Sequence, residues 1–252
     1  MTIFAITMSK GGTGKTITAL NLAAGLARDG FSVLAIDLDP QGSLTKTLLM
    51  DGVSVTSGIA EVLSGEKEPG KVVMNYKEEN LFFIPSTPSL KKYNTSYITD
   101  LEILFVFREK ISHFDYDFII IDTPSNTGQL MQMAMAAAHR VIIPVKASFF
   151  DMEQVDETFK VYAKIKSRIN PGLEGIKIVL TQFGPRVICR DVHEALKTAY
   201  QKQIFETVIR QNVRLEESPA HKKSIFSYDL SSHGTEDYEK LTKEVLKWLK
   251  EA

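Results

Sequence analysis

Apolar residues recur along this chain in two alternating rhythms. Short, nearly unbroken apolar runs occupy residues 3–8, 31–36, 80–84, 118–122, 140–145 and 176–180, each of a length that suits a strand buried on both faces. Between them, residues 16–28, 56–63, 100–114, 129–138, 151–169 and 235–252 repeat apolar positions every three or four residues, as a helix with one buried face does. The pattern uses Leu101, Leu104, Phe105 and Ile111 in the third of these, and Tyr238, Leu241, Val245, Trp248 and Leu249 in the last. Met131 and Met135, one turn apart, read as core filling. Gly30 falls where the first helix needs a left-handed residue to stop, and Asn170-Pro171-Gly172 closes the helix over 151–169. Strands alternating with helices predict one doubly wound α/β domain over residues 1–252, with a mostly parallel sheet and helices on both faces. Pro85, Pro88 and the polar stretch through Thr99 read as surface loop, because the core pattern resumes on both sides.

Composition narrows the class without naming a chemistry. A chain of 252 residues with 44% hydrophobic and 24% charged residues is that of a globular protein with a sizeable core. One cysteine, Cys189, allows no intramolecular disulfide and supplies too few thiolates for a structural zinc or iron–sulfur site. No cationic leader precedes an apolar stretch at the N-terminus, and no apolar run approaches a membrane span, so the expected location is cytoplasmic. A formal net charge of −1 gives no global attraction to nucleic acid, which leaves such binding to a local patch. Residues 186–223 offer one, with eight Lys/Arg against five Asp/Glu, although a net +3 is ordinarily a solvated face.

The candidate chemistry follows three of the strands. Ser9-Lys10-Gly11-Gly12-Thr13-Gly14-Lys15-Thr16 lies between the first strand and the first helix, the context that a phosphate-binding loop requires. Glycines let backbone N–H groups converge on an anion, and the helix start directs its free N–H groups at the same point. Lys15 then reaches the β- and γ-phosphates of a nucleotide, and the Thr16 hydroxyl binds Mg²⁺. The second strand ends in Asp37-Leu38-Asp39-Pro40-Gln41-Gly42, two carboxylates at the edge where open parallel sheets bind ligands, although Asp, Pro and Gly are also ordinary turn residues. The run at residues 118–122 ends in Asp122, the form of a central strand that holds a carboxylate beside a metal site.

With these motifs on the page, the chain resembles the deviant Walker A branch of the P-loop NTPases, and within it the ParA/Soj partition ATPases. The resemblance runs over nearly the full length and is strongest at residues 8–42, 118–146 and 205–229. It implies that Lys10 acts across an ATP-sandwich homodimer on the nucleotide of the other subunit, that residues Lys10, Gly11, Gly12, Thr13, Gly14, Lys15, Thr16 and Ile17 cradle ATP, and that Gln182, just past a strand, lies near the adenine. Lys10, Lys15 and Asp39 are then the catalytic candidates, with Asp39 orienting the attacking water. Thr16, Asp37 and Asp122 form the Mg²⁺ set. Residues 208–219 resemble the family's late I-P-R-N-V-R-L-x-E-A-P segment, which implies nonspecific double-stranded DNA binding through Arg210 and Arg214, with Arg186, Arg190, Lys222 and Lys223 as further candidates. A ParB-like centromere-binding partner, slow unstimulated hydrolysis and a nucleoid-associated location complete the expectation.

Three positions depart from the family pattern: Ser9 replaces the first glycine of G-x-x-x-x-G-K-[ST], Ser125 the second of two prolines after Asp122, and Gln211 shifts the arginine–asparagine pair. The first strand begins at residue 3, which makes the expected form the short, Soj-like one. Two alternatives stand beside this reading. One is a MinD-like or cargo-positioning ATPase on a membrane or nucleoid surface, against which the acid-rich terminal helix counts; the other is a nucleotide-stabilised DNA- or protein-binding scaffold with little turnover.

Overall fold

The structure, a computed structural model, describes residues 1–76, 80–95, 101–148 and 152–251. Parts of four expected elements lie outside them: residues 96–99 of the polar loop, residue 100 and residue 151 at two helix starts, and residue 252 at the end of the last helix. An eight-stranded sheet forms the centre, in the order β3-β4-β2-β5-β1-β6-β7-β8. Its strands are β1 (Thr2–Ile6), β2 (Val33–Asp37), β3 (Met74–Asn75), β4 (Leu81–Ile84), β5 (Phe118–Asp122), β6 (Arg140–Lys146), β7 (Gly175–Phe183) and β8 (Ile204–Arg210). Every pairing is parallel except that of β3 with β4.

The apolar runs explain this burial. In β1, Ile3 and Ala5 face one layer of helices while Phe4 and Ile6 face the other, so no position of the strand is free to be polar. One layer holds α3 (Ile59–Leu63), α4 (Glu102–Ser112), α5 (Gln129–Ala137), α6 (Met152–Arg168) and α7 (Val187–Tyr200). The other holds α1 (Lys15–Arg28), α2 (Ser43–Leu48), α9 (Ile225–Tyr228) and α10 (His233–Leu249), with α8 (Val213–Glu217) at its margin. Gly30, at φ 93°, ends α1 as expected: Phe31 N–H reaches Leu26 O and Gly30 N–H reaches Ala27 O, the paired bonds of a left-handed helix stop. Gly25 permits the α1–α10 crossing, since a Cβ there would stand 2.4 Å from Thr242 Oγ1.

Several expectations need correction. The runs at 31–36 and 176–180 become Val33–Asp37 and Gly175–Phe183, so Asp37 is the last strand residue and Gln182 lies within β7 rather than past it. In α4, Leu104, Phe107 and Ile111 are buried whereas Leu101 and Phe105 are 58% and 51% exposed. A helical step of about 100° carries Phe105 off the stripe that Leu104 begins, and Phe107, three residues on, takes its place. The proline-rich loop is exposed at Pro88, Ser89, Lys91, Lys92 and Asn94, as a surface loop is, but it is anchored: Pro88–Tyr93 forms a 3₁₀ turn with Leu90 buried, and Thr95 O accepts the Gln129 N–H at the start of α5. α2, β3, α7, β8, α8 and α9 have no counterpart in the expected elements. Met131 and Met135 are fully buried in the core, as is the stripe Tyr238, Leu241, Val245 and Trp248 of α10. Cys189 is free and buried, its thiol against Ala147 O.

Candidate nucleotide site

β5 lies between β2 and β1, and the chain leaves β1 toward one side of the sheet and later returns to the other. That reversal opens a crevice at the carboxyl ends of these strands, and the three motif-bearing loops meet there. Gly12 and Gly14 take φ values of 73° and 88°, which residues with a Cβ rarely adopt, and Gly14 caps α1 without any side-chain hydrogen bond. The first N–H groups of α1 therefore face the crevice with no side chain capping them.

Lys15 is buried, and its Nζ donates to Lys10 O at 2.9 Å and to Ser125 Oγ at 2.7 Å. Burial lowers its pKa, against the attraction of Asp122 and Asp39. Ser125, which departs from the family pattern, thus contributes a hydroxyl to the lysine at the centre of the loop. Thr181 Oγ1 donates to Thr13 O at 2.7 Å and Gln182 Nε2 donates to Gly12 O at 2.9 Å, so the end of β7 straps the loop from the far side. Gln182 holds an uncommon left-handed backbone at φ 50° to do this. Lys10 stands half-buried on the loop.

Asp37 and Asp122 are register neighbours at the ends of β2 and β5 and are both buried. Desolvation raises both: Asp37 is pushed up to about 6, and Asp122 goes well above the usual carboxylate range with Asp37's charge as a second cause. Thr16 Oγ1 donates to Asp122 Oδ2 at 2.7 Å, while Asp122 Oδ1 is buried without a hydrogen-bond partner. Two repelling carboxylates, one with an orphaned oxygen beside a threonine hydroxyl, fit a divalent cation. Among the described residues no group of three His, Cys, Asp or Glu gathers to hold a metal unaided, so phosphate oxygens and water would complete the shell. Asp39 is half-buried, its Oδ1 accepting the Gln41 N–H at 2.9 Å, and it lines a cleft of ≈ 340 Å³ with Gly12, Lys15, Thr16, Ser43 and Ser125. Gly11 lies beside Ser125 at the same mouth. A smaller pocket shares Gly14 and Ile17 with that cleft and continues past Gln182, Ile209, Asn212 and Tyr238, an apolar recess suited to a flat base.

The basic segment is arranged otherwise. Arg210, on β8, lies beside the recess rather than on an open face, donating to Asp237 at 3.0 Å and to Glu236 at 2.6 Å. Arg214 pairs with Glu217 at 2.9 Å and with Asp229 at 3.5 Å, and Lys222 pairs with Asp51 at 2.6 Å. Arg186 and Arg190 at the start of α7, and Lys223, are exposed with no ion pair among the described residues. Thr181 belonged to no recognised phosphate motif, and only its position next to Gln182 could have pointed to it.

The parallel sheet, the lysine-bearing glycine loop and the paired aspartates define a P-loop ATPase of the deviant type. The family described as an AAA domain matches residues 1–175. The chain is 34% identical over 248 residues to the chromosome partitioning protein ParA of Myxococcus xanthus, covering 97% of this chain and 88% of that protein. It is 34% identical over 249 residues to the chromosome-partitioning ATPase Soj of Thermus thermophilus, covering 98% and 96%. Cobyrinic acid a,c-diamide synthase from Mycobacterium smegmatis, solved with an ATP analogue and magnesium, superposes with a TM-score of 0.84 at 24% identity over 99% of this chain and 96% of that one, which shows the shared fold. The chain belongs to the ParA/Soj family of partition ATPases.

Proposed function

We propose that this chain binds ATP and Mg²⁺, closes into an ATP-sandwich homodimer, binds nonspecific double-stranded DNA as that dimer, and leaves it when a ParB-like partner stimulates hydrolysis. The observation that carries the reading is the orphaned Asp122 Oδ1 beside Thr16, directly under a loop whose lysine is already turned inward. Mg²⁺, when bound, would neutralise phosphate charge there. Residues 10–17 cradle the phosphates, with Lys15 exchanging its two protein acceptors for phosphate oxygens. Thr16, Asp37 and Asp122 hold the metal directly or through water, and Asp39 orients the attacking water. Lys10 reaches the partner's nucleotide, and Gln182 and Ile17 border the base.

DNA attraction rests on Arg186, Arg190 and Lys223 before Arg210, Arg214 and Lys222, because the latter three must first leave acidic partners. Turnover is slow without the partner, and the working location is the nucleoid. The buried stripe of α10 counts against a membrane anchor, and no helix is long and apolar enough to cross a membrane among the described residues.

Light scattering, gel shifts on random duplexes and sedimentation with anionic vesicles test the reading. The expected result is an ATP-dependent dimer that retards all sequences equally, with affinity falling with salt at a slope of about −0.9 per phosphate contacted. Vesicle binding without DNA binding in ATP would overturn it in favour of a membrane positioner.

A further inference from the structure

Asp37 is held by a hydroxyl that none of the nucleotide motifs contains. Thr45, buried in the first turn of α2, donates its Oγ1 proton to Asp37 Oδ2 at 2.7 Å, and its backbone N–H donates to the same oxygen at 2.7 Å. The Ser86 N–H, just past β4, donates to Thr45 Oγ1 at 2.8 Å. An amide N–H can only donate, so the hydroxyl accepts from Ser86 and its proton has one direction left, toward Asp37. Two donors saturate Oδ2. Oδ1 takes only the Asp39 N–H, at 3.1 Å, and keeps capacity for a further partner. Gly42, which precedes α2, supplies no cap, so Asp37 also serves as the acceptor for the first turn of this helix.

We propose that Thr45 is a positioning residue of the metal site: by fixing the rotation of the Asp37 carboxylate it presents Oδ1 to a divalent cation, and through the Oδ1 bond to Asp39 N–H it sets the turn that carries Asp39. The inference rests on the reading of Asp37 as part of the Mg²⁺ set. A carboxylate free to rotate would lose the orientation that makes its remaining lone pairs useful. Groups that hold a metal ligand from behind in this way typically change metal affinity 10–100-fold when removed.

The test is a Mg²⁺ titration of the full chain with a fluorescent ADP analogue, which reads metal binding without turnover. Thr45→Val keeps the shape and removes the hydroxyl; it should raise the half-saturating Mg²⁺ concentration about tenfold, while Thr45→Ser keeps it within about twofold of the parent. A purely structural Thr45 would lower the melting temperature of the metal-free protein and leave the Mg²⁺ midpoint of the folded protein where it was, and that outcome overturns the proposal. Should Thr45→Val fail to fold, Thr45→Cys, whose S–H is a weak donor, carries the same test with an expected rise of about threefold. Asp37→Asn separates the two layers of the argument. If Asp37→Asn raises the midpoint and Thr45→Val does not, Thr45 alone loses its role; if Asp37→Asn leaves it unchanged, the metal assignment of Asp37 falls and the role of Thr45 falls with it.

Discussion

The crevice above β1, β2 and β5 and the basic segment after β7 treat charge in opposite ways. In the crevice, Asp37 and Asp122 repel one another in a buried place and one oxygen has no partner. In the basic segment, Arg210, Arg214 and Lys222 already face Asp237, Glu217 and Asp51. The first arrangement leaves a buried oxygen unsatisfied; the second pairs three of its cations within one chain and leaves Arg186, Arg190 and Lys223 exposed without an ion pair among the described residues. Buried, unmatched charge is the stronger mark of a ligand site, whereas a surplus of cations along a sequence says little until their neighbours are known.

The contrast can be broken most sharply at Asp39. Asp39→Ala should lower ATP turnover about 10²- to 10⁴-fold while the ATP-bound dimer still forms, measured by phosphate release beside light scattering. Unchanged turnover would remove Asp39 from the reaction, and loss of nucleotide binding would make it a structural residue. Next is Lys15→Ala, which removes the charge under the loop and should weaken binding of a fluorescent ATP analogue about 100-fold or more. Lys10→Ala should spare binding by the monomer and abolish ATP-dependent dimerisation; a normal dimer in that variant would refute action across the interface.

On the satisfied side, Arg210→Ala should act mainly on the fold. It leaves Asp237, only 3% exposed, without its guanidinium, at a cost of about 2 kcal/mol. That is below the roughly 3–5 kcal/mol for a fully buried pair, since part of Arg210 is in water. For a domain of this size the melting temperature should fall by about 4–8 °C. Intact stability with DNA binding abolished would mean that Arg210 is free for phosphate after all.

The last effect concerns pH. Asp37 is raised from 3.8 to about 6, so between these values the folded nucleotide-free protein holds a proton that the unfolded chain has released. Stability should therefore be lost as pH rises from about 4 through about 6, by at most about 3 kcal/mol, with Mg²⁺ and nucleotide flattening the trend. Thermal unfolding of the parent and of Asp37→Asn across this range checks it, and identical pH profiles would exclude Asp37 as the source.

Much of the fold was legible because parallel strands buried on both faces must be apolar throughout, as residues 118–121 show, and because Gly30 and Asn170-Pro171-Gly172 end helices by known chemistry. The phosphate loop was legible for the same local reason: only glycine suits the backbone at Gly12 and Gly14. What escaped depends on distant partners. β8 packs Phe205 and Ile209 with α10 and Ile204 and Val208 with the opposite layer, while Glu206 is exposed and Arg210 turns to Asp237, so no simple alternation marks it. Thr45 looks like any helical threonine until Asp37 and Ser86 are placed beside it. The pairing of Arg210 with Asp237 spans 27 residues and has no periodic signature.

Trp248 is the only tryptophan in the chain, and it sits at the seam between α10 and the sheet. Its ring lies 4.7 Å from the Arg140 guanidinium and 5.5 Å from the Phe205 ring, and Gly175 leaves the space it fills. The intrinsic fluorescence of this protein is therefore a one-residue optical gauge of whether the terminal helix is seated. A blue, shielded emission that persists with ATP, DNA or vesicles would report a helix that never leaves its berth, and a red shift on vesicles before global melting would reveal it swinging out.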